Sequence, residues 1–266
     1  MNVFFRELKA YRNSTVVWIF SLCSLVTVFL LMYPAFTRDV DTTRQIMENL
    51  PAAVRSALDI SLQNFFTIYG FFVYLFTFAT VAGAVQAMNL GVGIISKEES
   101  GKTVDFLLTK PISRFKVFTS KLSASVILLL ITNVFFCTAS YVVARMVSTG
   151  DFNNKIFLMI LITFLFVQLF FLALGILMSV VINKIKSPIA ASLPTVFTFF
   201  VIGMLGSIIG SENVRYISPF KFYDLNYVIN NGQYEPVYIV IELVFVIVAV
   251  VTGYILYSRK DIRAVS

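Results

Sequence analysis

The sequence has no histidine, only two cysteines and few charges: 13% of its 266 residues are Asp, Glu, Lys or Arg. Without an imidazole there is no neutral-pH histidine base and no histidine metal ligand, which excludes histidine-dependent hydrolysis and histidine-ligated metal centres. The serines have no histidine to activate them, and no two carboxylates share an apolar run. A chain that is not an enzyme, with no metal and no cofactor of its own, is expected. Cys23 and Cys137 lie inside apolar runs and read as small core residues rather than as a disulfide or metal pair. What is abundant is apolar surface. Hydrophobic residues make up 58% of the chain, against about 45–50% in a soluble domain. Together with several apolar runs of about 20 residues, this is the composition of an all-α polytopic membrane protein.

Six spans are predicted within a single domain covering residues 1–266, at about 16–36, 65–95, 122–147, 155–182, 188–210 and 237–257. The first run exceeds the roughly 7–15 apolar residues of a signal-peptide core, so it is expected to stay as a span. Before it, Phe4, Phe5, Leu8 and Tyr11 recur at helical spacing among Arg6, Glu7, Lys9 and Arg12. That pattern predicts an amphipathic helix lying in the membrane interface over residues 2–14. Between spans one and two, Ile46, Leu50, Val54 and Leu58 step by four. With Pro51 suited to a first turn, they predict two short helices on the outer surface. The segment 211–236, rich in aromatics, predicts a hairpin partly embedded in the membrane.

The basic residues indicate orientation. With the N-terminus inside, inner segments hold 14 of the 21 Lys and Arg, and outer segments hold the remaining 7 together with 8 of the 14 acids. The positive-inside bias then puts both termini and the 97–121 loop in the cytoplasm. Because the basic residues are dispersed over several loops, nucleic acid is not an expected partner. Membrane lipid is.

Small residues mark places of close helix approach. Ala79, Gly83, Ala87 and Gly91 share one face of the second span, and Gly206 and Gly210 form a second small pair on the fifth. Either static packing or a seam that moves during transport fits this spacing. Asn133, Thr138 and Ser140 are the polar interior candidates of the third span, whereas Gln86 and Asn89 fall in the last part of the second span, which is expected to project into the cytosol. Glu242 is the one acid well inside a span, where a carboxylate at mid-depth costs about 2.5–3.5 kcal/mol. It reads as a possible intramembrane polar site or as a group paired near the outer end.

The stretch 97–121, KEESGKTVDFLLTKPISRFKVFTSK, is the long charged segment between apolar runs, with six basic and three acidic residues. A plain connecting loop has no need for the apolar cluster Val104, Phe106, Leu107 and Leu108. Glu98, Glu99 and Asp105 add acidic groups, and Pro111 stops a helix because it disfavours helix in the preceding residue. Arg114 is placed to hold the returning chain or a lipid phosphate. Ser100-Gly101-Lys102-Thr103 imitates the end of a phosphate-binding loop, but the glycine required five positions before Gly101 is Ser96, and no strand precedes it.

In the order Glu98-Glu99, Gly101, Leu107-Leu108, Pro111-Ile112-Ser113-Arg114 and Lys121, this stretch resembles the cytoplasmic loop of ABC-2-type transporter permeases. The segment YISPFKFYD, Tyr216 to Asp224, resembles that family's last outer loop, and the likeness covers essentially the whole chain. The resemblance implies a non-catalytic permease subunit of an ATP-binding cassette exporter in the cell membrane of a bacterium. It implies a second permease subunit, identical or different, and two ATP-binding subunits that carry ATP and Mg2+. It implies a coupling helix in the 97–121 loop that docks on the ATPase and drives alternating access. A secondary carrier or channel working alone, and a membrane scaffold that moves nothing, are the alternatives.

Overall fold

The computed structural model describes residues 3–100, 113–148, 150–182 and 185–259, with backbone alone for 98–100. The described residues form ten α-helices and two 3-10 turns, with no strand among them. The helices are α1 (Val3–Leu31), α2 (Tyr33–Arg38), α3 (Val40–Asn49), α4 (Ala52–Ala57), α5 (Ile68–Ser100), α6 (Arg114–Val147), α7 (Asn154–Val181), α8 (Pro188–Ile209), α9 (Leu225–Asn231) and α10 (Pro236–Arg259). Six are long and apolar enough to cross a membrane: α1 with α2, then α5, α6, α7, α8 and α10.

Local chemistry explains the helix ends. Ser113, Asn153, Ser187 and Asp224 each turn a side-chain oxygen onto a first-turn amide of α6, α7, α8 and α9, satisfying donors that have no partner within the helix. Pro188 opens α8 at a position where a missing N–H loses nothing. Pro194 lies inside α8, which continues through it. Pro34 interrupts the first long helix: α1 stops at Leu31 and α2 begins at Tyr33, because a proline at 34 gives no amide to the preceding turn.

The first span differs from expectation. Instead of a separate interfacial helix followed by a new one, α1 is uninterrupted from Val3 to Leu31. Neither glycine nor proline occurs at 12–15, and the Thr15 hydroxyl bonds back to the Tyr11 carbonyl at 3.0 Å, inside the helix. The outer connection does hold two short helices, α3 and α4, with Pro51 at the N-cap of α4. Arg55 turns back to the Glu48 carbonyl at 2.8 Å and so holds the two together. Ile46 and Val54 are exposed rather than joined in a buried stripe.

α5 and α7 form the centre. Their most apolar stretches are 67% and 61% buried, against 17–33% for the other spans. They run parallel, because successive turns of α5 (Gly83, Gly91) meet successive turns of α7 (Phe164, Leu172). α6 carries α1 along one side, and α10 packs on α7 through the stacked rings of Phe170 and Phe245, 4.1 Å apart. The outer half is filled by phenylalanines, with Phe136 and Phe164 stacked at 4.3 Å. The remaining faces of α1, α8 and α10 are apolar and exposed, as expected of surfaces that meet lipid or another subunit.

Candidate functional site

Three places concentrate polar chemistry: the inner end, the middle of the bundle and the outer end. At the inner end, Lys121 of α6 is fully buried. Its Nζ donates to the Ile94 carbonyl of α5 at 2.6 Å and to Glu7 Oε1 of α1 at 3.3 Å. Glu7 is 1% exposed, and Arg6 lies 3.4 Å from the same oxygen. Lys97 of α5 sits over the Tyr11 ring at 5.5 Å. On the other flank Arg114 donates to the Ser258 carbonyl of α10 at 3.0 Å, and Phe118 meets the rings of Tyr254 and Tyr257. The inner ends of α1, α5, α6 and α10 are thus tied together where the chain enters and leaves 98–112.

Most of the loop residues singled out in the sequence lie beyond this frame. Gly101, Asp105, Phe106, Leu107, Leu108 and Pro111 are outside the described residues, and Glu98 and Glu99 are described only as backbone in the last turn of α5. Arg114 is described, and it holds the inner end of α10.

In the middle, four buried side chains form a hydrogen-bonded chain across α5, α6 and α7. Gln86 donates to Thr132 at 2.9 Å, Gln168 donates to Gln86 Oε1 at 3.2 Å, and Asn133 donates to Gln168 Oε1 at 2.6 Å. Gln168 also reaches the Gly83 carbonyl at 3.4 Å. Asn133 Oδ1 and Ser140 Oγ are buried without a hydrogen-bond partner among the described residues. In an apolar bundle such a chain fixes the relative rotation of its helices, because any other rotation leaves amides unpaired.

The small residues of α5 lie on this same contact. Ala79 and Ala87 are buried. A Cβ added at Gly91 would stand 2.5 Å from the Leu172 carbonyl oxygen, and one at Gly175 would stand 2.6 Å from that of Met88. A Cβ at Gly83 would strike the Phe164 ring at 2.4 Å. The second small pair behaves differently. Gly206 makes room for Val214 of the outer turn, while Gly210 has φ +70° and open space around it. Gly210 therefore ends α8 in the left-handed conformation and packs against no helix, a correction to the pairing expected from its spacing.

At the outer end the chain folds back onto the bundle. Ser218 Oγ donates to the Phe199 carbonyl at 2.8 Å, and Phe222 and Tyr223 are buried against the spans. Lys221 pairs with Asp59 at 2.6 Å. Burial pushes the Asp59 carboxyl above the usual carboxylate range, and the Lys221 ammonium opposes that shift. Arg215 pairs with Glu235 and covers the Tyr238 ring at 4.3 Å. Asp59, Arg215, Lys221 and Tyr223 line a cavity of about 350 Å³ together with Phe76, Thr77, Thr80 and Thr163. Glu242 is 4% exposed and accepts a hydrogen bond of 2.6 Å from the Tyr223 hydroxyl.

A family model described as an ABC-2 family transporter protein matches residues 1–262. The chain belongs to the ABC-2 transporter family. A search of curated proteins finds no match. Membrane chains of the ABC-2 family are generally non-catalytic, and the family implies a transporter that works with an ATP-binding subunit. As an ABC-2 family protein with six apolar helices, this chain is a multi-pass membrane protein.

Sequence reasoning missed the partnership of Glu7 and Lys121 in this ABC-2 protein. A signal was present: on a helix Glu7 falls between Phe4, Leu8 and Tyr11, inside the apolar stripe rather than opposite it. Thr132 was missed as well, although it lies next to Asn133. At the outer end, Tyr223→Phe is expected to lower stability by about 1–3 kcal/mol, because it leaves the buried Glu242 carboxyl without its donor. Glu242→Gln keeps an acceptor for Tyr223 and is expected to stay within about 1 kcal/mol of the parent. Thermal unfolding in detergent ranks the two, and the reverse order would show that the bond does not hold the outer end.

Proposed function

We propose that this chain is the permease subunit of an ATP-binding cassette exporter in the cell membrane, driven by separate ATPase subunits docked on the 97–121 loop. The observation that carries the reading is the inner frame. The loop leaves α5 and rejoins α6 between Lys121, Glu7 and Arg114, so a push on it acts at once on four helix ends. Glu98, Glu99 and Asp105 supply charge for a basic partner surface, and Phe106, Leu107 and Leu108 supply apolar anchors.

Two ATP-binding subunits, holding ATP and Mg2+, would act on two permease subunits, identical or different. The apolar stripe Leu193, Phe197, Val201, Leu205 and Ile208 on α8 is exposed, which supports a second permease subunit beside it. Both termini are assigned to the cytoplasm by the charge bias. Alternating access fits a bundle in which α5 and α7, joined by glycines and amides, move as one body against the looser outer helices. The export direction and bacterial origin follow from the resemblance of the central motif.

Leu107→Asp and Leu108→Asp place a charge among the apolar anchors. Each is expected to reduce co-purification of a co-expressed ATP-binding subunit by at least about tenfold, from the roughly 2 kcal/mol that a buried anchor contributes. Folded permease yield should be unchanged. Full ATPase retention and full transport in both variants would refute the docking loop. Transport by reconstituted permease with no ATPase present would instead establish a secondary carrier.

A further inference from the structure

A furrow of about 540 Å³ runs between α1 and α6, and nothing in the proposed transport cycle uses it. Its α1 wall includes Lys9, Arg12, Val16 and Ile19, at i, i+3, i+7 and i+10, so the four share one helix face. The stripe is basic for its first turn and apolar afterwards. The α6 wall is Leu128, Ile131 and Phe135, apolar throughout. Ile131 and Phe135 are 40% and 53% exposed, and Val16 is 58% exposed, so the furrow opens sideways toward the bilayer.

Lys9 and Arg12 share the lack of a side-chain partner among the described residues with Arg38, Lys116, Lys155, Lys186 and Arg259, but they are the two that line this furrow. Lys121, Arg6, Arg215 and Lys221 all pair with carboxylates, and Lys97, Arg44 and Arg145 lie over aromatic rings. Lys9 and Arg12 are exposed and make no hydrogen bond or ion pair among the described residues. They stand about two turns and one turn before Val16, where the apolar run begins, with the apolar part of the furrow immediately beyond them. Lys9 and Ile19 are separated by about 15 Å along the axis at 1.5 Å per residue.

We infer that the α1–α6 furrow binds an anionic glycerophospholipid, with Lys9 and Arg12 on the phosphate and Val16, Ile19, Ile131 and Phe135 along an acyl chain. The order of the stripe matches the order of groups in such a lipid, charge at the interface and hydrocarbon below. Basic residues next to a cytoplasmic membrane surface favour anionic headgroups by about a factor of five each, and the factors of neighbours multiply. A second copy of the chain is a poor occupant, because a symmetric contact would bring two identical basic stripes together. A lipid seated here would brace α1 against α6 directly beside the Glu7–Lys121 pair.

The test uses the purified full chain in neutral detergent, titrated with phosphatidylglycerol or with phosphatidylcholine of the same acyl chains. Bound lipid is counted by native mass spectrometry. The wild type is expected to prefer phosphatidylglycerol. Lys9→Gln with Arg12→Gln should weaken phosphatidylglycerol by roughly 30-fold and phosphatidylcholine, whose phosphate is offset by its choline, by much less, so that the preference between them is largely lost. Ile131→Trp, which fills the furrow without touching charge, should weaken both lipids. Equal binding of the two lipids to the wild type overturns the inference, as does unaltered phosphatidylglycerol binding in the charge variant. Ready disulfide cross-linking of an Ile131→Cys variant between two chains would put a second copy in the furrow and overturn it also.

Discussion

Lys121→Met is expected to destabilise the folded protein by about 3–5 kcal/mol, one of the two largest effects of any single change considered for this chain. The reason is what it leaves behind. Glu7 is 1% exposed and its Oε2 already has no hydrogen-bond partner among the described residues. Removing the Lys121 ammonium takes away the donor at 3.3 Å to its other oxygen, and Arg6 approaches that oxygen only at 3.4 Å from a half-exposed position. The Ile94 carbonyl loses a 2.6 Å donor in the same step. Glu7→Gln alone should be milder, because a neutral amide still offers Lys121 an acceptor. The double variant Glu7→Leu/Lys121→Met removes both charges and is expected to recover most of the loss, since replacing a whole buried pair by apolar residues is often neutral or better. Thermal unfolding of Lys121→Met, Glu7→Leu and the double variant gives the coupling energy as a double-mutant cycle. Strictly additive losses would mean that the pair is not the tie between α1, α5 and α6.

The spans were legible in the sequence because each is a long apolar run, and helix is the way an isolated apolar run satisfies its backbone in lipid. α5 extends beyond the bilayer as its sequence suggests, reaching Ser100 over 33 residues. Polar partnerships were harder to read. Asn133 and Ser140 were visible as interior candidates and are buried, but Thr138 is exposed, and Gln86, expected in a cytosolic projection, is buried and bonded to Thr132 and Gln168, because the bonding depends on how three helices are rotated, which no single run encodes. Glu7 was assigned to a solvated face by its charge, although its position in the Phe4, Leu8 and Tyr11 stripe pointed inward. Its partner lies 114 residues away, and composition does not link such distant positions. Gly210 shows the opposite ambiguity. A glycine four residues after another reads as a packing pair, yet one at a helix end also supplies the positive φ that closes a helix, and the structure uses it for the second purpose. The loop residues carrying the family resemblance, Leu107 and Leu108 among them, lie outside the described residues, and the match over residues 1–262 assigns the family rather than their role.

Gly91→Ala carries the second large expected effect, and its sign makes it diagnostic. In an open helix position, glycine to alanine gains up to about 1 kcal/mol from helix propensity. Here the new methyl would stand 2.5 Å from the Leu172 carbonyl oxygen and 3.1 Å from the Ile176 nitrogen, both backbone atoms that no rotamer change can move aside. The helices must part instead. Overpacking of this kind costs about 1–3 kcal/mol for a single methyl, and Gly91→Leu is expected to prevent the α5–α7 pair from closing at all. Parting the pair also strains the amide chain one to two turns away, where Gln168 bonds Gln86 at 3.2 Å and the Gly83 carbonyl at 3.4 Å. Gly175→Ala, facing the Met88 carbonyl at 2.6 Å, should match Gly91→Ala, and the two together should be less than additive because either one alone opens the same contact. Gly150→Ala, with nothing within 4 Å of the added carbon, serves as the control and should leave stability unchanged. Measured by thermal unfolding in detergent, a rise in stability for Gly91→Ala would mean that α5 and α7 do not touch backbone to backbone. A fall, with Gln86→Leu/Gln168→Leu lowering stability further and less than additively, would establish glycines and amides as one structural unit.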